Sequence, residues 1–371
     1  VSLSSVKGSS KCTGGVDTDL GNKCSKIAFG WAQKTFCNRK GRTGLPVISG
    51  GGSFCNIMSF GALRIGMTSD GIGTKVELAE RTGNYSSLGF DLVAMVADDL
   101  AANGVEPVNL SNILDVDFLD SEIVDELMKG LCEAAEFSGM AVTGGEIAEL
   151  GKRIDGYGKR MHFNWCATAL GILPEDREPI TGNEVVAGDS VIALKSRGFR
   201  SNGFSAIRNI MREKFGDDWH NRIFKDKRSW GEVLQTPALI YSPLIMEIIR
   251  AGIPVHGIAH ITGGGIPDNL GRILKVNKLG ADLENIFSPL DFMLEIQSLG
   301  GVEEIAAYKM WNMGNGMLVI VPSEKVEQTL DIIAKTDYLA QKAGKIIDRP
   351  EILINSKGAS PRLLSYEKTG K

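Results

Sequence analysis

What constrains this chain most is where its glycines fall. It has 45 in 371 residues, against about 26 at average usage, and they gather in short runs rather than spreading as low complexity. Glycine reaches backbone conformations closed to other residues and lets a main chain come close to a ligand. Repeated clusters of this kind predict an ordered scaffold carrying several ligand-facing loops. No internal repeat accompanies them.

The segments between the clusters mix both secondary-structure signals. Leu63, Ile65 and Met67 alternate as on a strand with one buried face. Met140–Thr143, Trp165–Leu173, Val191–Leu194 and Met317–Val321 also read as strands, and helices are predicted over 90–102, 121–137, 203–215, 236–251 and 323–335. Asp120 is placed as N-cap and Gly139 as terminator of the second of these. The expected class is α/β (α+β) throughout. A chain this long suits two cores. The polar, proline-bearing stretch from Leu173 to Glu184 is the candidate linker. The expected organisation is an arm over 1–45, one domain over 46–178 and a second over 179–371.

Composition narrows the function. A net charge of −4 supplies no basic field for nucleic acid or an anionic membrane. No apolar run approaches the ~18 residues of a membrane span, and the first residues lack a secretory core, so a cytoplasmic location is expected. The six cysteines form no C-x-x-C pair, and reduced thiols are the expected state.

Three clusters of the first half carry chemistry. Asp70-Gly71-Ile72-Gly73-Thr74-Lys75 follows a strand and sets a carboxylate and a cation among turn amides, which can cradle phosphate while the carboxylate holds a divalent ion. It is not a Walker A loop, and by itself it also reads as a plain Asp-Gly turn with a solvated lysine. On the 90–102 helix, Asp91 and Asp98 share a face. Asp98 and Asp99 sit near the C-terminal end, where the helix dipole opposes carboxylates unless solvent or a bound Mg²⁺ compensates. Thr143-Gly144-Gly145-Glu146 is read as a turn after a strand that brings Glu146 to the same site, or as a tight turn opening a helix. In the second half, Ser196–Gly203 is a polar loop running into a helix, a candidate anion site. His260-Ile261-Thr262-Gly263-Gly264-Gly265 is a candidate phosphate nest with an adjacent histidine. Trp311–Gly316 is a glycine-bearing loop before a strand.

In this order the clusters resemble the aminoimidazole ribonucleotide synthetase (phosphoribosylformylglycinamidine cyclo-ligase) family. The motif D-G-[VI]-G-T-K corresponds to Asp70–Lys75, G-[IF]-D-L-V-A-M-x-x-[ND]-D-L to Gly89–Leu100, and G-G-E-x-A-E to Gly144–Glu149. S-N-G-[YF]-S corresponds to Ser201–Ser205, H-I-T-G-G-G-[LI]-x-[ED]-N to His260–Asn269, [FW]-N-M-G-x-G-M to Trp311–Met317, and an early G-V-D-x-D-x-G-N to Gly15–Asn22. Asp98 stands where bacterial members usually carry Asn. The resemblance implies a homodimer of two-domain subunits paired through an N-terminal mixed sheet, each with a C-terminal α/β sandwich. It implies ATP and Mg²⁺, a small nucleotide substrate, and ring closure through an iminophosphate. It assigns Asp70 and Asp99 to the metal, Gly71, Gly73, Thr74, Lys75 and Glu146 to the nucleotide, and Ser201, Asn202, Gly203 and Thr262–Gly265 to substrate. Asp99, Lys75, His260 and Asn202 are the expected catalytic set. A thiamine-monophosphate-kinase-like phosphotransferase and a non-catalytic nucleotide-binding homologue are the alternatives.

Overall fold

The computed structural model describes residues 18–47, 53–174, 176–225 and 227–367; Gly15, Val16 and Asp17 of the early Gly15–Asn22 match lie outside the described residues. The first sheet holds β1 Leu45–Val47, β2 Asn56–Phe60, β3 Leu63–Gly71, β4 Glu106–Val116, β5 Ala141–Glu149 and β6 Phe163–Leu173. Their order is β1-β2-β3-β6-β4-β5. Only β4 and β5 run parallel, so the sheet is mixed. Four helices accompany it: α1 Thr18–Lys34, α2 Val76–Thr82, α3 Leu88–Ala102 and α4 Ser121–Ser138. The expected caps of α4 form: Asp120 accepts from the Glu122 and Ile123 amides, and Gly139 closes the helix in a left-handed conformation. The expected arm contains α1, whose described side chains are exposed.

The second sheet holds β7 Ser190–Lys195, β8 Gly257–His260, β9 Gly280–Leu283, β10 Asn315–Val321, β11 Ala340–Ile347, β12 Glu351–Asn355 and β13 Leu363–Glu367, in the order β13-β12-β9-β11-β7-β10-β8. Around it lie α5 Phe204–Phe215, α6 Trp230–Leu234, α7 Ser242–Arg250, α8 Gly265–Leu274, α9 Asp291–Leu299, α10 Glu304–Met310 and α11 Val326–Ile333. The helix expected over 236–251 begins only at Ser242, with Pro243 in its first turn. Proline suits that position and none deeper, and residues 236–241 stay extended around Pro237.

Helix α3 is the hub. It is buried on nearly every side, as befits a helix that is apolar all round. Its approach to the sheet is set by small residues. A Cβ on Gly66 would come within 3.3 Å of Leu100 on the helix and 2.8 Å of a methyl of Val105 just past its end, and one on Gly171 within 2.5 Å of that same valine. Against α4 the contact is closer still, since a Cβ on Gly89 of α3 would lie 2.1 Å from the Gly130 backbone, and one on Gly130 1.8 Å from the carbonyl oxygen of Ser86 just before α3. This packing reverses the expected orientation of β3. Gly66 and Thr68 face the helix, while Leu63 and Met67 point outward and are exposed. The strand is where the alternation put it, but its apolar side faces away from α3. Cross-strand register puts Met67, Leu170 and Ile172 on this outer face together with Ile113, and all four are exposed.

Candidate active site

Two carboxylates of α3 join the halves of the molecule. Asp91 pairs with Lys75 at 2.7 Å and accepts the Ala238 amide at 3.1 Å. One turn short of the helix end, Asp98 accepts the Tyr241 and Ser242 amides at 2.7 and 2.8 Å through a single oxygen. The spacing is geometric. Seven helical residues rise about 10.5 Å, and three to four extended residues cover about the same length. The stretch 238–242 therefore runs beside α3 and meets both acids. Ser242 begins α7, so Asp98 also satisfies amide donors at that helix's start, where the dipole favours a negative charge. The expectation that Asp98 and Asp99 lie in solvent or beside a metal alone fails for Asp98, which is fully buried.

Arg200 completes this junction. Its backbone takes φ 60°, an uncommon conformation for a residue with a side chain, and its side chain is buried. The guanidinium donates to Asp98 at 2.8 Å, to the Leu239 carbonyl at 2.9 Å and to His260 Nε2 at 2.8 Å. The other ring nitrogen, His260 Nδ1, lies 2.7 Å from Asp99 Oδ1. Burial, then the neighbouring Arg200 charge, pushes His260 down to about 3, so the ring is neutral.

Asp99 opens toward the end of β3. Burial raises its carboxyl to about 7, against the pull of Arg272 and Arg200. Asp70, on β3, is raised to about 6 by burial, held back by its bond from the Gly71 amide and raised further by Asp99. Two acids that each resist ionisation, one partly because of the other, are a donor set that a hard cation would relieve. Among the described residues no group of three or more His, Cys, Asp or Glu could hold a metal. Two carboxylates fit Mg²⁺, which is usually bound through one or two carboxylates plus substrate phosphates.

The second half contributes two helix N-termini. Gly203 caps α5 and Gly264 caps α8, both left-handed. The two loops touch, because a Cβ on Gly263 would lie 3.4 Å from Asn202 Oδ1. Thr74 Oγ1 lies 3.2 Å from Ser205 Oγ in the first turn of α5, so the Asp70–Lys75 turn and the Ser201–Ser205 loop form one wall. Ser201 Oγ and Asn202 Nδ2 are buried without a hydrogen-bond partner among the described residues. Idle polar atoms beside exposed helix amides are what an anionic ligand would satisfy.

Not every expected residue arrives in this place. Lys75 is fully buried, its ammonium held by Asp91 and by the Thr236 carbonyl at 2.9 Å, and so is not turned to open space. His260 is likewise buried, with both nitrogens engaged. The turn expected at Thr143–Glu146 is the middle of β5. Register aligns Glu146 with Ile113, Cys166 and Gly71, whereas Asp70 aligns with Ala167, Asn112 and Gly145. Glu146 thus stands on the outer face, three strands and about 14 Å from β3, and does not share Asp70's side of the sheet. Sequence reasoning missed Arg200 and Arg272. Arg200 sat inside a loop read as an anion site, but its side chain turns inward to Asp98.

The family model described as AIR synthase related protein, N-terminal domain, matches residues 53–173, and the corresponding C-terminal domain model matches 186–355. A phosphoribosylformylglycinamidine cyclo-ligase of Thermococcus kodakarensis is 34% identical over 344 residues, 93% of this chain and 97% of its own. Among solved structures, a thiamine-monophosphate kinase from Stenotrophomonas maltophilia superposes with a TM-score of 0.60 at 13% identity, covering 85% of this chain and 92% of its own. The hydrogenase maturation protein HypE in complex with ATP gives 0.53 at 15% identity, covering 82% and 85%. At those identities the two structures speak for the fold alone.

Proposed function

The chain belongs to the phosphoribosylformylglycinamidine cyclo-ligase family, and from that premise we propose that it closes the imidazole ring of aminoimidazole ribonucleotide from formylglycinamidine ribonucleotide at the expense of ATP. The observation that carries the reading is the pairing of two carboxylates raised by burial, Asp70 and Asp99, the first raised further by the second, with the helix N-termini behind Asn202 and Gly264.

In this reading the formyl amide oxygen attacks the γ-phosphorus of ATP and ADP leaves. The resulting iminophosphate carries a good leaving group on carbon. The amidine nitrogen attacks that carbon, phosphate departs, and the nitrogen loses its proton as the ring closes. Catalysis of this kind is positioning plus stabilisation of charge on a transferring phosphoryl group. Asp70 and Asp99 would hold Mg²⁺, which when bound neutralises phosphate charge. Gly71, Gly73 and Thr74 line the nucleotide side. Ser201, Asn202, Gly203 and Thr262–Gly265 offer hydroxyl, amide and main-chain donors to the substrate's anionic groups. Lys75 acts by holding the two halves in register, and His260 acts through Asp99 rather than on the substrate.

The outer face of the first sheet, with Met67, Ile113, Leu170 and Ile172 exposed, supports a homodimer paired sheet to sheet, since contiguous exposed apolar surface marks interaction sites. Glu146 stands on that face and would act from the interface.

The test is turnover by the purified protein with Mg²⁺, ATP and formylglycinamidine ribonucleotide, following ADP and aminoimidazole ribonucleotide together. One ADP per ring closed is expected. ATP hydrolysis or binding without that product refutes the substrate assignment and turns attention to phosphotransfer or to a silent nucleotide-binding role. Asp99→Asn with full turnover would sink the metal assignment.

A further inference from the structure

The buried chain Asp98–Arg200–His260–Asp99 does more than join the two halves, because arginine has only donors. The 2.8 Å contact between Arg200 Nη2 and His260 Nε2 therefore makes Nε2 an acceptor and leaves it without a proton. A neutral imidazole must then carry its proton on Nδ1, and Nδ1 lies 2.7 Å from Asp99 Oδ1. That oxygen is taken. Among the described residues, Asp99 Oδ2 meets the Thr68 hydroxyl at 3.5 Å, at the outer limit of a hydrogen bond.

We infer that Arg200 is a positioning residue for the cation site: it fixes the tautomer of His260, which pins Asp99 through Oδ1 and leaves Oδ2 as the single oxygen Asp99 offers to a divalent ion. The inference rests on the reading of Asp70 and Asp99 as cation ligands. It also gives the buried Asp98 a role. Arg200 is buried, and a buried cation needs an opposite charge in contact. Asp98 supplies it at 2.8 Å while its other oxygen is held by the Tyr241 and Ser242 amides. The φ of 60° at Arg200 fits the same picture, for strained backbone persists where surrounding contacts over-determine it, and such positions cluster at functional sites.

Without the Arg200 donor, nothing at Nε2 bars the ring proton of His260 from that nitrogen. The tautomer is therefore the decisive readout. The chain has four histidines, so ¹⁵N-histidine labelling with His260→Gln as the assignment control resolves the ring by long-range ¹H–¹⁵N correlation. In the metal-free protein His260 is expected to show a protonated Nδ1 and a bare Nε2. Arg200→Met is expected to abolish that preference and to weaken Mn²⁺ binding in the presence of ATP, followed by electron paramagnetic resonance, by about 10- to 100-fold, the usual range for loss of an outer partner of a ligand. Asp98→Asn, which keeps an acceptor for Arg200, is expected to retain the Nδ1–H tautomer. A protonated Nε2 in the wild-type protein overturns the inference, as does an Arg200→Met protein with an unchanged tautomer and Mn²⁺ affinity within twofold. If Arg200→Met does not fold, the wild-type spectrum and the Asp98→Asn spectrum still decide. None of these readouts needs ring closure, so a failed turnover assay would refute the substrate assignment and leave this inference standing.

Discussion

Replacing Lys75 by methionine tests whether this lysine holds the molecule together or holds phosphate. Lys75 and Asp91 are both fully buried and 2.7 Å apart. Burial lowers the lysine and raises the aspartate, and each opposes the other's shift. Methionine keeps the stem but removes the charge. Asp91 is left with the Ala238 amide alone, and the Thr236 carbonyl loses its donor. Removing one partner of a buried ion pair costs about 3–5 kcal/mol, because the remaining charge is uncompensated. For a 371-residue chain, an unfolding entropy of about 2.1 cal/mol/K per residue gives about 0.8 kcal/mol/K. The melting temperature should then fall by about 4–6 °C. Adding Asp91→Asn to Lys75→Met removes the stranded charge and keeps an acceptor for Ala238, and should restore about 2 kcal/mol. Thermal denaturation of the wild type, both single variants and the double variant closes the cycle, with the KM for ATP measured on the same four proteins. Strictly additive melting shifts would refute the pairing argument. An unchanged melting temperature in Lys75→Met, together with a hundredfold rise in the KM for ATP, would return the lysine to the phosphate.

Three further outcomes follow from the same geometry. Asp99 and Asp70 are raised to about 7 and about 6, so between about pH 4 and pH 7 the folded protein binds more protons than the unfolded chain, and their contribution makes the metal-free protein less stable as pH rises through that window; thermal melts with and without MgCl₂ should show a larger Mg²⁺ stabilisation at pH 7.5 than at pH 5.5, and an equal one refutes the site. Gly130→Ala places a Cβ 1.8 Å from the Ser86 carbonyl and should cost at least the 1–3 kcal/mol typical of overpacking, read as a lowered midpoint in urea, where an unchanged midpoint contradicts the α3–α4 contact. Leu170→Asp puts a charge in the centre of the exposed apolar face of the first sheet and should convert a dimer to monomers in sedimentation velocity without lowering helix content by circular dichroism; a variant that stays dimeric excludes that face as the interface.

Local chemistry made much of this protein legible from its sequence. The caps of α4 are a property of Asp120 and Gly139 and the residues beside them, and both form as expected. The glycine-bearing turns were visible for the same reason, since a left-handed cap such as Gly203 or Gly264 needs no distant partner to announce it. What a sequence does not display is which surface a regular element turns toward its neighbours. In β3 the apolar alternation of Leu63, Ile65 and Met67 pointed to a core, yet the core side is Gly66 and Thr68, because α3 packs too closely for anything larger. The same closeness decides the fate of Glu146, whose side of the sheet is fixed by cross-strand register with residues more than thirty positions away.

The acidic pair on α3 shows why adjacent residues of one type need not share a role. Asp98 and Asp99 differ by about 100° around the helix, and that rotation sends one toward the second half of the molecule and the other toward the end of β3. Asp98 meets Arg200, 102 positions along the chain, and two amides near position 241; nothing near it in sequence foretells those partners. Asp99 meets a histidine that the same arginine holds. The apparent excess charge beside the proposed cation ligand is therefore neutralised from within, and the helix dipole that disfavours two acids at this end is offset by a buried guanidinium rather than by solvent. The ring that holds Asp99 Oδ1, and the arginine that holds that ring, both come from the second half, so the candidate cation site is complete only when the two halves are docked as they are here.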